Sequence, residues 1–224
     1  MAFSGFGKDT IDFLTGLRAN NEKAWFDAHR KSYDDAYLRP AEALLIALGP
    51  RMKKIDPDVE VEPRVNGSIM RINRDIRFSK DKTPYKDHLD LWLWTGERKG
   101  WDSSGFFFRL TPDRLILGAG MHAFEPATLA RYRKAVLDRK KGEALARLVT
   151  SLKKAGYEIG TEKYKKVPAG VPADHPRALL LRHGGLHATW EGKHPGALKS
   201  AAFVDFVADH FRKIAPIHRW LRTM

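Results

Sequence analysis

Leu89-Asp90-Leu91-Trp92-Leu93-Trp94 places leucine at every second position, with a different side chain between each pair. A two-residue period marks a strand, because successive side chains of an extended chain point to opposite faces of a sheet. Downstream, Gly105 to Leu110 and Arg114 to Leu117 flank Thr111-Pro112-Asp113, where proline presets the backbone angle of a hairpin turn. Phe106, Phe107 and Phe108 in a row read as a strand buried on both faces. Upstream, the strand character reaches back to about Val59. The middle of the chain, about residues 59–120, is therefore expected to form an antiparallel sheet.

Helical spacing takes over on both sides. Residues 9–18 carry Phe13, Leu14 and Leu17 on one side, and Asn20 or Asn21 is expected to cap a second helix bearing Trp25, Phe26, His29, Tyr33, Ala36 and Tyr37. Pro40 suits the first turn of a third helix with Leu44, Leu45 and Leu48, which Gly49-Pro50 should break or kink. Helices resume at Pro126, with stripes at Leu129, Tyr132 and Val136 and at Leu145, Leu148, Val149 and Leu152, the latter ended by Gly156. Leu179 to Leu181 suit a short helix and Leu186 to Trp190 a strand. A final helix carries Phe203, Phe206, Val207, Phe211 and Ile214, capped by Ser200, and Pro216 is read as starting a last short turn. Helices, strands, helices in that order predict an α+β fold, a single domain over residues 1–224, with a subdivision near residue 124 as the alternative.

Composition narrows the function classes. The 224 residues include no cysteine, which excludes disulfides, thiolate metal sites and cysteine nucleophiles and agrees with a cytoplasmic setting. No run of eighteen apolar residues exists, so no membrane span is expected, and the N-terminal residues do not read as a signal peptide. The net charge is +13 and is uneven: residues 1–112 hold 19 Lys/Arg against 17 Asp/Glu, residues 113–224 hold 21 against 10. Such an excess points to a polyanionic partner or to lysines that merely face water.

The densest charge precedes the strand: Arg71-Ile-Asn-Arg-Asp-Ile-Arg-Phe-Ser-Lys-Asp-Lys-Thr-Pro-Tyr-Lys86. Six basic residues and two aspartates share sixteen positions. The flanks favour a strand ending near Ile72 and a loop thereafter, with Pro84 holding Thr83 out of helix. Guanidinium groups pair with phosphate or carboxylate and lysines add point charge, so Arg71, Arg74, Arg77, Lys80, Lys82 and Lys86 are candidate anion ligands. Ser79 can add a hydroxyl donor, and Tyr85 and Phe78 can flank a ring. Asp75 and Asp81 either hold the arginines in place or carry a proton, and His122, after the glycines of Gly118-Ala-Gly120, is a third candidate acid or base. The competing reading is an Arg–Asp network that pins the loop without any ligand.

Arg74 to Lys86 resembles the signature of the family known as domain of unknown function 2461. Phe13 to Phe26, Phe-Leu-x-x-Leu-x-x-Asn-Asn-x-x-x-Trp-Phe, is similar to that family's start, as is the strand pair leading to Gly118-Ala-Gly120-Met121. The resemblance covers most of the chain. It implies a bacterial or fungal intracellular protein and brings no reaction or catalytic residue with it.

The remaining constellations are weaker. Between Arg131 and Lys166 there are twelve Lys/Arg and four Asp/Glu. Arg131, Lys134, Arg139, Lys140, Lys141, Lys153 and Lys154 are the candidates for tracking a phosphate backbone. Trp92 and Trp94, with Trp101 nearby, suit packing under helices more than base stacking. His183 and His187 have the spacing of a helical metal pair, but Gly184-Gly185 between them argues against a helix. No metal site or cofactor is identified, and the sequence leaves oligomeric state and catalysis open. Three functions remain: an anionic small-molecule site in the Arg71–Lys86 loop, with or without a reaction; nucleic-acid association through residues 131–166; or a non-catalytic scaffold with a structural Arg–Asp network.

Overall fold

The computed structural model describes residues 2–96, 103–160 and 162–224, so Trp101 lies outside the described residues. The alternating segment forms strand β2 (Leu89–Thr95), and the Thr111 turn joins β3 (Gly105–Leu110) to β4 (Arg114–Met121). Thr111 closes that turn with its backbone N–H on the Arg114 carbonyl at 2.9 Å. With β1 (Val59–Glu60), β5 (Glu158–Ile159) and β6 (Leu186–Lys193) they make a six-stranded antiparallel sheet of order β1-β2-β3-β4-β6-β5. The fold is α+β as the sequence predicts, and two of its strands come from beyond residue 120. Glu158 and Ile159 pair with Thr189 and Ala188.

The helices are α1 (Lys8–Ala19), α2 (Lys23–Ala28), α3 (Arg30–Ser32), a π-helical stretch Tyr33–Leu38, and α4 (Arg39–Ile55), followed later by α5 (Pro126–Leu137), α6 (Arg139–Lys154), α7 (Ala178–Leu181) and α8 (Phe203–Leu221). Several local expectations fail. Helix α4 runs unbroken through Gly49 and Pro50, because Leu48, Met52 and Ile55 form one buried stripe across them. Helix α8 likewise passes through Pro216, with Ile214, Ile217, Trp220 and Leu221 buried on either side of it. In both cases burial outweighs the loss of one backbone donor at proline. Ser200 does not cap α8; its hydroxyl donates to the Ala197 carbonyl at 3.1 Å. Residues 61–88 are mostly irregular rather than strands, touching neighbours through isolated bridges such as Ile69–Leu91 and Asn73–Tyr85. A strand needs one face to bury, and the charges crowded after residue 70 supply none.

Contacts divide the described chain into two units, each assembled from three segments: Met1–Leu93 with Phe107–Leu117 and Glu191–Asp209, and Trp94–Phe106 with Gly118–Trp190 and His210–Met224. In the first, Phe13 meets Trp25, Tyr33 and Tyr37 at ring-centroid distances of 5.9, 6.1 and 6.0 Å, and the Thr10 hydroxyl donates to the Ala36 carbonyl at 2.7 Å. Phe6 packs on Phe108 and Phe203. In the second, Tyr132 is wholly buried against Phe124 and Trp220 and donates to the Leu180 carbonyl at 2.9 Å. Buried His218 faces the Ser104 hydroxyl at 2.8 Å beside Phe106. Trp92 and Trp94 are 8% and 3% exposed, which makes them packing residues. Among the described residues no helix is long and apolar enough to cross a membrane.

Candidate functional site

The charged segment folds as an irregular hairpin in the first unit. Arg74 N–H donates to the Pro84 carbonyl and Lys86 N–H to the Ile72 carbonyl, both at 2.8 Å, bracketing the Asn73–Tyr85 bridge. Asn21 fastens it. Its side-chain amide donates to the Tyr85 carbonyl at 2.9 Å and accepts from the Tyr85 N–H at 3.0 Å, so one side chain copies the paired bonds of a neighbouring strand. Asn21 is therefore a clamp rather than a helix cap, and Asn20 donates back to the Gly16 carbonyl. The Tyr85 ring stacks on Phe26 at 4.3 Å and is 7% exposed, so it is unavailable to flank a ligand, contrary to the sequence expectation.

The hairpin's charges mostly satisfy one another. Asp81 accepts from the Thr83 backbone N–H at 3.0 Å and hydroxyl at 2.8 Å, a turn typical of aspartate, and takes Arg74 at 2.6 Å. Asp75 accepts from Arg77 at 3.0 and 2.7 Å, and these hydrogen bonds hold its carboxyl down to about 2. The Thr83 N–H is the main cause of a lowered Asp81 value, helped by Arg74. Lys82 donates to the Ile76 carbonyl at 2.9 Å. Arg71 and Lys80 have no carboxylate within 4 Å among the described residues, and Ser79 is half-buried. At the tip Phe78 is 94% exposed beside the Arg77 guanidinium, 5.7 Å from its ring centre.

Where the hairpin enters β2 lies a cluster that sequence reasoning missed. Lys86, His88 and Asp90 recur at two-residue steps. Asp90, 15% exposed, accepts from Arg109 of β3 at 2.7 and 3.1 Å, and His88 Nε2 lies 3.2 Å and Lys86 Nζ 3.4 Å from it. His88 Nδ1 faces Asp87 at 2.9 Å, Asp87 takes Arg18 of α1 at 2.6 Å, and Arg18 reaches Asp113 of the β3–β4 turn at 2.5 Å. Only the imidazolium can donate to both flanking carboxylates, while the neutral ring donates to one. Burial pushes the Asp90 carboxyl up, but the hydrogen bonds from His88 and Arg109 outweigh it and leave it well below the usual carboxylate range. For Asp87 burial is likewise overcome, by His88 and Arg18. The available signal was Asp90 itself, a charge on the strand face otherwise given to Trp92 and Trp94.

The candidate phosphate-tracking residues of the second unit differ among themselves. Lys141 is committed to the Thr223 carbonyl at 2.5 Å, Arg131 to the Thr128 hydroxyl at 3.0 Å, and Arg139 lies 3.5 Å from Glu143. Lys134, Lys140, Lys153 and Lys154 are exposed, with no carboxylate within 4 Å among the described residues. Lys154 and Arg147 border an open hollow of about 460 Å³ on α6. His122 is exposed with its ring 5.4 Å from that of His187. His183 and His187 do not share a helix: His183 precedes β6 and His187 lies on it. Among the described residues no group of three His, Cys, Asp or Glu is placed to hold a metal. Gly120, at φ +132°, runs against β6, where a Cβ would lie 2.3 Å from the Leu186 carbonyl oxygen, so its glycine serves strand packing.

Fold and site together define an α+β protein with a self-paired charged hairpin clamped by an asparagine at the entry to a sheet strand. Residues 9–220 match the family described as conserved hypothetical protein (DUF2461), and the chain belongs to it. No curated protein matches the chain.

Proposed function

We propose that the protein binds a phosphate-rich polyanion, nucleic acid, through its second unit. One observation carries this reading. The first unit's segments hold 20 Lys/Arg and 19 Asp/Glu, whereas the second unit's hold 20 and 8, so nearly the whole net charge falls in one contact-defined unit. Lys134, Lys140, Lys153 and Lys154 contribute cations with no carboxylate within 4 Å among the described residues. A cytoplasmic setting belongs to the same reading. Binding of labelled oligonucleotides should weaken by orders of magnitude between about 50 and 200 mM salt, because each neutralised phosphate releases a counterion. Replacing Lys140, Lys153 and Lys154 by Gln should weaken it further, equally for all sequences. Absence of binding at low salt sinks the proposal.

A second reading rests on Phe78. An almost fully exposed ring beside Arg77, with no carboxylate within 4 Å of Arg71 or Lys80 among the described residues, suits a small anion that carries a flat ring. Thermal stabilisation by a nucleotide or sugar phosphate, lost in Arg71→Ala or Lys80→Ala, would support it. Insensitivity to both changes would remove it. Whether a reaction follows, with Asp75 or Asp81 moving a proton, belongs to that reading alone.

A further inference from the structure

The corner of the second unit where α5 meets residues 162–164 and 180–184 holds three nitrogens with no hydrogen-bond partner among the described residues: Arg133 Nε, Arg182 Nε and His183 Nδ1. All three are sealed from solvent, and His183 as a whole is 6% exposed. Arg133 Nε and Arg182 Nε are donors, and a buried donor left unpaired costs about 1–3 kcal/mol, while His183 Nδ1 is donor or acceptor according to its tautomer, so the corner calls for an explanation. Main-chain bonds gather them: Lys163 and Tyr164 N–H both donate to the Arg182 carbonyl, at 3.0 and 2.9 Å, and Glu162 bridges His183. The Arg133 guanidinium sits 4.8 Å and the Lys163 ammonium 5.9 Å from the Tyr164 ring centre. The Lys163 stem lies over Gly184 so closely that a Cβ there would fall 2.3 Å from it.

One anion already stands in this corner. Glu162 takes Arg182 Nη2 at 2.9 Å and leaves the adjacent Nε of the same fork without a partner among the described residues. A carboxylate suited to this guanidinium would take both donors side by side. Glu162 is half-used and 43% exposed at its side chain, so solvent reaches it.

We propose that this corner is a binding site for a tetrahedral oxyanion, the phosphate group, with Glu162 as an internal stand-in that the phosphate displaces. Arg182 offers its full Nε–Nη2 edge once Glu162 withdraws. Arg133 and Lys163, both close to the Tyr164 ring, add charge, and His183 Nδ1, in the tautomer that carries its proton there, supplies a further donor. The identification of the phosphate with a nucleic-acid backbone rests on the polyanion reading above; the oxyanion site itself does not.

The sign of one substitution tests this. Glu162→Gln removes the competing charge, so titration with inorganic phosphate and with a labelled oligonucleotide should show affinity rising several-fold for both. Arg182→Gln should lower both at least about ten-fold, the scale of one charge-assisted bond, and flatten the oligonucleotide salt slope by about 1. Circular dichroism melts confirm that each variant is folded, and Glu162→Gln, on the surface, keeps the test alive if Arg182→Gln does not fold. If Glu162→Gln leaves both affinities unchanged or lowers them, Glu162 is a structural partner of Arg182 and the site is overturned. Oligonucleotide binding that persists, indifferent to both changes, overturns the site and leaves the polyanion reading standing. Phosphate binding with the expected signs but no oligonucleotide binding supports the site and removes the polyanion reading.

Discussion

The hairpin Arg71–Lys86 and the basic stretch Arg131–Lys166 are both rich in arginine and lysine, yet they compensate charge to different degrees. In the hairpin Arg74 and Arg77 each have an aspartate, Lys82 has a carbonyl, and Lys86 leans on Asp90. In the basic stretch Arg131, Arg139 and Lys141 have partners, but four lysines have no carboxylate nearby among the described residues, and Arg133 Nε has no hydrogen-bond partner there. Density of charge therefore does not by itself mark uncompensated charge. The first region spends most of its ions on its own shape, and the second leaves more of them exposed to solvent.

The largest expected effect lies where the hairpin joins the sheet. Asp90→Asn strips Arg109, Lys86 and His88 of the carboxylate they share and should cost about 3 kcal/mol in urea unfolding, the scale of breaking a mostly buried ion pair. Acid should have a related effect. Asp87 and Asp90 titrate below the ordinary carboxylate range, so their stabilisation is complete above that range and is lost as pH falls through their lowered values. The wild type should lose stability between about pH 4 and pH 2, and Asp90→Asn should lose less over the same interval. Asn21→Ala removes both bonds to Tyr85 and should cost about 1–2 kcal/mol by the same measurement. A smaller loss would mean that stacking on Phe26 holds the hairpin without the clamp. Smallest of all, Arg77→Ala should leave the melting midpoint where it is, since its pair with Asp75 is open to water. A clear drop there would make the hairpin's tip a structural brace.

Much of the fold was legible because it follows from side-chain period. The alternation at Leu89 to Trp94, the Thr111-Pro112-Asp113 turn and the stripe from Leu44 to Leu48 each report a local choice that packing then confirms. Proline misled at Pro216, and at Pro50 as far as a break was expected, because the cost of a missing donor is local, while the burial that offsets it comes from neighbours far along the chain. The candidate site was legible by composition but not by connection. Arg18 and Asp113 are 95 positions apart and Asn21 and Tyr85 are 64 apart, and nothing in the spacing of either pair announces its partner. His88 escaped for the same reason, since its meaning lies in the two carboxylates that flank it and the arginines that hold those.

The interleaving of the two units bears on how the chain comes to be folded. Each unit draws on three separate stretches, and the first is closed only by Glu191–Asp209, after Gly118–Trp190 of the second has been made. During synthesis neither can finish early and wait for the other, as successive domains on a thread do. Long loops must close before either core is whole, which slows folding and lengthens the time that apolar strands stay uncovered. No cut along the backbone yields one unit intact, so a truncated chain will report on the loss of both.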